Sequence, residues 1–243
     1  MKTLGIVVPT YNEAENIKDL IIKIKDSLKS TDIKTRVLVV DDNSPDGTGK
    51  IVDDLMKSIN SENFLLDCLH RAKKNGLGGA YMEGMKNQLD YGADYIQQMD
   101  ADFSHDPIYL PTLLKEIETH DLVIGSRYVK GGKILNWNLY RKALSRAGNI
   151  FAKCILWIPV NDITGGFNLY RREVLEKIGL ESIKTPGYGF LLELKYQTCK
   201  SGFRIGESPI IFKDREKGAS KISKKYIIEA LLLTIKLRLG KHI

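Results

Sequence analysis

The chain has 243 residues, 43% of them hydrophobic, enough for one large domain with a real core. Its 37 basic and 30 acidic residues leave a formal net charge of +7, which suits anionic partners such as nucleotides and phospholipid surfaces. Nucleic acid is set aside as a partner, because no module for reading it is visible.

In chain order, MKTLGIVVPTYNE turns polar too early for a signal peptide. Leu4–Val8 reads as a strand that opens into Pro9-Thr10-Tyr11-Asn12-Glu13. Ile17, Leu20, Ile21, Ile24 and Leu28 then recur at helical spacing with lysines between them. A second strand, Arg36–Val40, opens into the Asp-rich loop Asp41 to Thr48. Helices follow at Lys50–Ser58, Gly79–Leu89, Pro111–Thr119 and Leu191–Lys200, with Pro111 suited to a first helical turn. Strands are expected at Phe64–Leu69, Tyr95–Met99, Leu122–Gly125 and near Arg204–Phe212. Such alternation predicts a mostly parallel sheet covered by helices on both faces. Cys68, Cys154 and Cys199 are odd in number and scattered, so reduced core thiols in a cytosolic protein are expected.

The most informative stretch is Tyr95 to Asp102, a buried strand ending in two carboxylates one residue apart, Asp100-Ala101-Asp102. Residues one apart on a strand point to the same side, so both carboxylates can meet one ion as the chain leaves the sheet. Hard oxygen ligands suit Mg²⁺ or Mn²⁺, with substrate phosphates filling open positions. A pair of turn-capping aspartates is the bland alternative. Two consecutive aspartates, Asp41 and Asp42, directly follow another apolar strand, and turn chemistry does not explain them. Polar loops at several strand ends are where an open α/β sheet binds its ligand. The glycine-rich entry at Gly76 can bring backbone N–H groups to a phosphate, or can be only a tight turn.

The ordered blocks PTYNEAENI, VVDDNSPDGT, RAKKNGLGGA, MDADFSHDP, GSRYVKGG, DITGGFNLYRREVL and FKDREKGASK resemble the catalytic unit of the dolichyl-phosphate mannosyltransferases, from about Leu4 to Lys221. These are family-2 glycosyltransferases of GT-A fold. The resemblance implies a single GT-A, Rossmann-like α/β domain over residues 1–221 and inverting transfer of mannose from GDP-mannose to dolichyl or another polyprenyl phosphate. It implies that Asp100 and Asp102 bind Mg²⁺ or Mn²⁺, which in turn binds the donor diphosphate, with Ala101 between them against the nucleotide sugar. Pro9, Tyr11, Glu13 and Asp41 or Asp42 would hold the base and ribose, with Gly76 beside the donor; Tyr11 is equally a staple packing on the first helix. Some relatives place a glutamine ligand where Ser104 stands, so Ser104 or water would fill that role, and His105 reads as structural. Arg215, Ser220 and Lys221 match an R-x-x-G-x-S-K loop that would close over donor or acceptor phosphates. A polyprenyl phosphate needs little general-base help, so cationic positioning by Arg127, with Arg141, Ser145 and Arg146, is expected at the acceptor.

Two apolar stretches, Ile150–Ile158 and Tyr226–Leu239, are flanked by basic residues and fall short of the ~18 uninterrupted apolar residues a span requires. Residues 222–243 are expected to form an amphipathic helix lying in the membrane interface, placing a peripheral protein on the cytoplasmic face, with a separate anchoring subunit as a possible partner. No residue visibly reads the base or sugar, so transfer from UDP-glucose or another UDP-hexose to the same lipid remains open. A non-catalytic nucleotide-sugar-binding membrane adaptor is the reading from another class, and retention of both D-x-D carboxylates weighs against it.

Overall fold

The computed structural model describes residues 1–74, 76–185, 187–214 and 224–240. Nine strands and eight α-helices alternate among them. The first half winds β1 (Lys2–Thr10), α1 (Ile17–Leu28), β2 (Ile33–Asp41), α2 (Thr48–Ile59), β3 (Phe64–His70), α3 (Leu77–Tyr91) and β4 (Tyr95–Gln98). The second half continues with α4 (Leu110–Glu116), β5 (Leu122–Ser126), β6 (Lys133–Leu135), α5 (Leu139–Leu156), β7 (Asn168–Arg171), α6 (Arg172–Ile178), α7 (Gly189–Lys200), β8 (Ile205–Pro209), β9 (Ile211–Lys213) and α8 (Lys224–Arg238).

The main sheet has the order β3-β2-β1-β4-β7-β5-β8. Only β7 runs antiparallel to its neighbours β4 and β5. Strand alternation supplies both faces with apolar groups: Leu4, Ile6 and Val8 of β1 meet α1, α2 and α4, while Val7 joins the opposite cluster with α3, α6 and α7. The parallel pairing directs the ends of β1, β2, β3, β4 and β5 to one edge of the sheet. Strand order reverses between β1 and β4, where a doubly wound sheet opens a crevice for its ligand.

Several expectations are corrected. The strand expected near Arg204–Phe212 breaks at Ile210, with β8 in the main sheet and β9 pairing with β6 in a separate ribbon. The antiparallel β7 lies inside the block DITGGFNLYRREVL, which carries the resemblance but no expected strand. The cysteines are not core thiols, since Cys154 is exposed and Cys68 and Cys199 are half-buried. The C-terminal helix α8 is more than a surface helix: Leu233 and Leu237 are buried in the core cluster that also holds Ala152 and Leu156 of α5.

Candidate active site

Beyond β4, the chain turns at Phe103, whose φ of 59° is in the left-handed region, and folds back through Asp100, Asp102 and His105. The turn is held locally by the Ser104 N–H, which donates to Asp102 Oδ1 at 3.1 Å. Ser104 itself is buried. Asp100 is held from two sides. The hydroxyl of Tyr81, reaching across from α3, donates to Asp100 Oδ1 at 2.6 Å, and the Asp100 N–H donates to His105 Nδ1 at 3.0 Å.

Both supports are buried and keep the protonation state the contacts need. Burial, then the neighbouring Asp100 carboxylate, pushes the Tyr81 phenol well above its ordinary pKa, so it remains a donor. Burial lowers the His105 imidazole, leaving Nδ1 a neutral acceptor. Tyr81 packs on Phe190 of α7 at 5.5 Å between ring centroids, and His105 stacks on Phe167 at 5.1 Å. Carboxylates whose rotamers are fixed by outer hydrogen bonds, with Asp100 still 31% exposed on its side chain, fit a hard divalent cation.

At the ends of β1 and β2, Asp41 is buried and satisfied by Thr10 Oγ1 at 2.9 Å, Ser44 N at 3.0 Å and Ser44 Oγ at 2.5 Å. Its carboxylate therefore ties the β1 and β2 loops together. Asp42 pairs with Arg71 at 2.5 Å, and Arg71 also reaches Glu83 at 2.9 Å. Glu13 accepts from Asn16 Nδ2 at 2.8 Å, and its N–H donates to Thr48 Oγ1 at 3.0 Å. Tyr11 is not stapled into the core: it is exposed, with the Lys74 ammonium 3.6 Å from its ring centroid. Pro9 is buried in β1, and Ala101 is buried between the two aspartates. Gly76 adopts a φ of 81° ahead of α3, a conformation that suits glycine, and its carbonyl accepts from Ala80 N.

Arg127 follows β5 at the same edge and differs most from expectation. It is buried, and Nε and Nη2 grip Asp162 at 2.8 and 2.6 Å, with Nη2 also on Thr164 Oγ1 at 3.0 Å. Tyr128, Trp137 and Phe212 surround the guanidinium at 5.3 to 5.7 Å from their centroids. Burial opposes charge on both partners, yet their mutual attraction wins, raising Arg127 and lowering Asp162. A guanidinium matched in this way to a carboxylate shapes the site more than it seizes a phosphate. Nearby, Arg141 lies 4.0 Å over the Trp137 ring and reaches Asp214 at 2.5 Å. Ser145 Oγ accepts from Tyr128 OH at 2.7 Å, and exposed Arg146 flanks the Tyr128 ring at 5.8 Å. The buried Trp137 indole N–H has no acceptor among the described residues. Arg215, Ser220 and Lys221 lie outside them.

The segment from Asn161 to Gly166 links the two regions. Lys195, wholly buried on α7, donates to the carbonyls of Asp162, Ile163 and Gly165 at 3.2, 2.9 and 2.5 Å. Glu207 of β8 accepts from the N–H groups of Asn161 and Asp162. A Cβ at Gly166 would sit 3.1 Å from His105 and 3.8 Å from Asp100 Oδ2, so this loop presses on the D-x-D turn. Tyr81, Asp162 and Lys195 escaped the sequence reading. Tyr81 sits one helical turn after Leu77 behind the glycine-rich entry, which is the one signal that could have marked it.

Strand ends that converge on braced D-x-D carboxylates, in a sheet of this order, define a glycosyltransferase of GT-A fold. Residues 5–179 match the Glycosyl transferase family 2 domain, and the chain belongs to that family. It is 43% identical over 226 residues to the undecaprenyl-phosphate mannosyltransferase of Micrococcus luteus, a match spanning 93% of this chain and 90% of that protein. It is 40% identical over 227 residues to the polyprenol monophosphomannose synthase of Mycolicibacterium smegmatis, spanning 93% and 83%. Among solved structures, glucosyl-3-phosphoglycerate synthase from Mycobacterium tuberculosis, in complex with Mn²⁺, uridine-diphosphate and glucosyl-3-phosphoglycerate, shares the fold with a TM-score of 0.69 at 18% identity. That match covers the whole of this chain and 81% of that one.

Proposed function

We propose that this protein transfers mannose from GDP-mannose to a dolichyl or other polyprenyl phosphate, with inversion, at a membrane surface. The observation that carries the reading is the shared sheet edge: braced Asp100 and Asp102 lie on the same side as the Arg127, Arg141 and Arg146 cluster. The mannosyltransferase relatives supply the sugar and the lipid class. Asp100 and Asp102 would hold Mg²⁺ or Mn²⁺, which offsets the charge on the departing nucleoside diphosphate. Tyr81 and His105 orient Asp100, so the carboxylate geometry exists before substrate arrives. The donor base and ribose sit over Pro9, Tyr11 and Glu13, beside Asp41, Asp42 and Gly76.

The acceptor phosphate is already anionic, so the task of this chain is to place its oxygen. Arg141, Arg146, Ser145 and the Trp137 indole N–H serve that end on and before α5, while Arg127 sets the positions of Tyr128 and Trp137 through its pair with Asp162. The lipid tail runs along the apolar surface of α5 and α8, with the exposed face of α8 in the interface of the cytoplasmic leaflet and an anchoring subunit as a further partner. No helix among the described residues is long and apolar enough to cross a membrane. The test is a panel of GDP- and UDP-sugars offered with polyprenyl phosphate and Mn²⁺ or Mg²⁺, scored as lipid-linked product. Mannolipid from GDP-mannose alone is expected; product from a UDP-hexose instead would overturn the sugar, and no lipid-linked product would overturn the reaction.

A further inference from the structure

We propose a second metal site on this chain, formed by Asp53, Cys68 and His70 and selective for a softer ion of the Zn²⁺ class. It is separate from the D-x-D turn. Cys68 and His70 lie two residues apart on the edge strand β3 and so project to one face, where Asp53 of α2 meets them. Each residue offers one ligand atom, and the three atoms lie within 4.8 Å of one another. His70 Nε2 is 3.0 Å from Asp53 Oδ1, and Cys68 Sγ is 4.0 Å from His70 Nδ1. Tetrahedral ligation at ~2.0–2.3 Å per bond requires shifts of about an ångström, within reach of side chains that are half open to solvent.

Two further features favour an ion there. Gly49 lets α2 rest closely on β3: a Cβ at that position would stand 3.0 Å from His70 Nδ1 and 3.1 Å from Asp41 Oδ2, so a side chain there would push Asp53 away from His70. The local field is also right. The carboxylates of Asp53, Asp41 and Asp67 lie close enough for their charge to act at Cys68, and that negative charge attracts a cation. On binding, the thiol proton passes to solvent and the thiolate takes its place as a ligand. Sulfur, imidazole and carboxylate together suit Zn²⁺, whereas the all-oxygen D-x-D turn suits Mg²⁺ or Mn²⁺. Three protein ligands leave a fourth position to water. The ion would fasten the edge strand to α2.

The test uses the full chain, reduced and in excess Mg²⁺ to saturate the D-x-D turn, titrated with Co²⁺ as a spectroscopic probe. One equivalent is expected to give a thiolate-to-metal absorption band with tetrahedral visible bands, which Zn²⁺ then erases. Cys68→Ser should lose the near-ultraviolet band, and His70→Gln should weaken binding at least tenfold. Cys154→Ser, Cys199→Ser and the Asp100→Asn/Asp102→Asn double variant should keep the spectrum, which separates this site from the transferase reading. The proposal is overturned by an absent band, by a band that survives in Cys68→Ser, or by one that appears only with the ion in large excess.

Discussion

At the scale of single residues, the hydroxyl of Tyr81 offers the cleanest experiment, because phenylalanine keeps its packing on Phe190 and removes one bond to Asp100. Tyr81→Phe is expected to leave the melting temperature within a few degrees, to raise the divalent-ion concentration needed for half-maximal rate, and to lower kcat by roughly tenfold or more. An unchanged metal requirement would remove Tyr81 from the site. Arg127 behaves differently. Its loss leaves Asp162 charged and buried, so Arg127→Met should destabilise the fold by about 3–5 kcal/mol before any effect on the acceptor is readable. The double variant Arg127→Met/Asp162→Leu should recover most of that stability. Acceptor KM measured in the double variant then decides the matter: a wild-type value would show that Arg127 acts only on the fold.

Lys195 brings in pH. Burial lowers its pKa to about 7, so the folded protein gives up the lysine proton more readily than the unfolded chain does. Stability from this group is present above the lysine's ordinary value near 10.5 and is lost as pH falls through about 7. Comparing melting temperatures of the wild type and Lys195→Met from pH 6 to pH 10 should show the wild-type advantage growing with pH across that window. A constant difference would mean that Lys195 titrates normally. The neutral variant also leaves three buried carbonyls without their donor, a loss of roughly 1–3 kcal/mol for each group that water does not reach.

Among the elements, α3 shows how closely a helix must rest on the sheet for the site to form. A Cβ at Gly84 would stand 2.4 Å from Val7 Cγ1 and 2.9 Å from Val40 Cγ2. Alanine is favoured over glycine in a helix by about 1 kcal/mol, whereas overpacking a core costs about 1–3 kcal/mol. The clash therefore wins, and Gly84→Ala is expected to lower stability and to lift α3, carrying Tyr81 away from Asp100. Thermal melts and metal-dependent rates should fall together. The same helix marks what was legible in the sequence. Its period, like that of α1 and of the strands β1 to β5, is written in local spacing of apolar residues, and the carboxylates at the ends of β2 and β4 were visible because they interrupt such runs. Contacts between distant positions were not legible: Tyr81 with Asp100, Arg127 with Asp162 and Lys195 with the Asp162 loop depend on how elements pack. β7 was missed because four residues carry too little periodicity.

For the whole molecule, the open question is how a protein with a largely conventional core meets a lipid substrate. The helix α8 packs on α5 through buried Leu233 and Leu237, so removing the C-terminal segment would expose core and confuse folding with membrane contact. The informative face is the other one. Ile228, Leu232, Ile235 and Leu239 recur at helical spacing and are 43–62% exposed, as is Ile150 of α5, and Trp157 just beyond the end of that helix is exposed more fully. Arg238 lies 4.8 Å over the Trp157 ring, joining the two apolar stripes where an aromatic side chain and a cation suit a headgroup layer. Replacing Leu232, Ile235 and Leu239 by serine removes about 1.5–3 kcal/mol of apolar transfer energy per inserted side chain, and 1.4 kcal/mol is a tenfold change in partition. The triple variant should therefore melt within a few degrees of the wild type, bind anionic vesicles at least tenfold more weakly, and lose activity on long polyprenyl phosphates. On a short, water-soluble acceptor it should retain most of its rate, since the strand-end residues are untouched. Wild-type vesicle binding in the triple variant, or an equal loss on both acceptors, would show that this face does not carry the protein to its lipid.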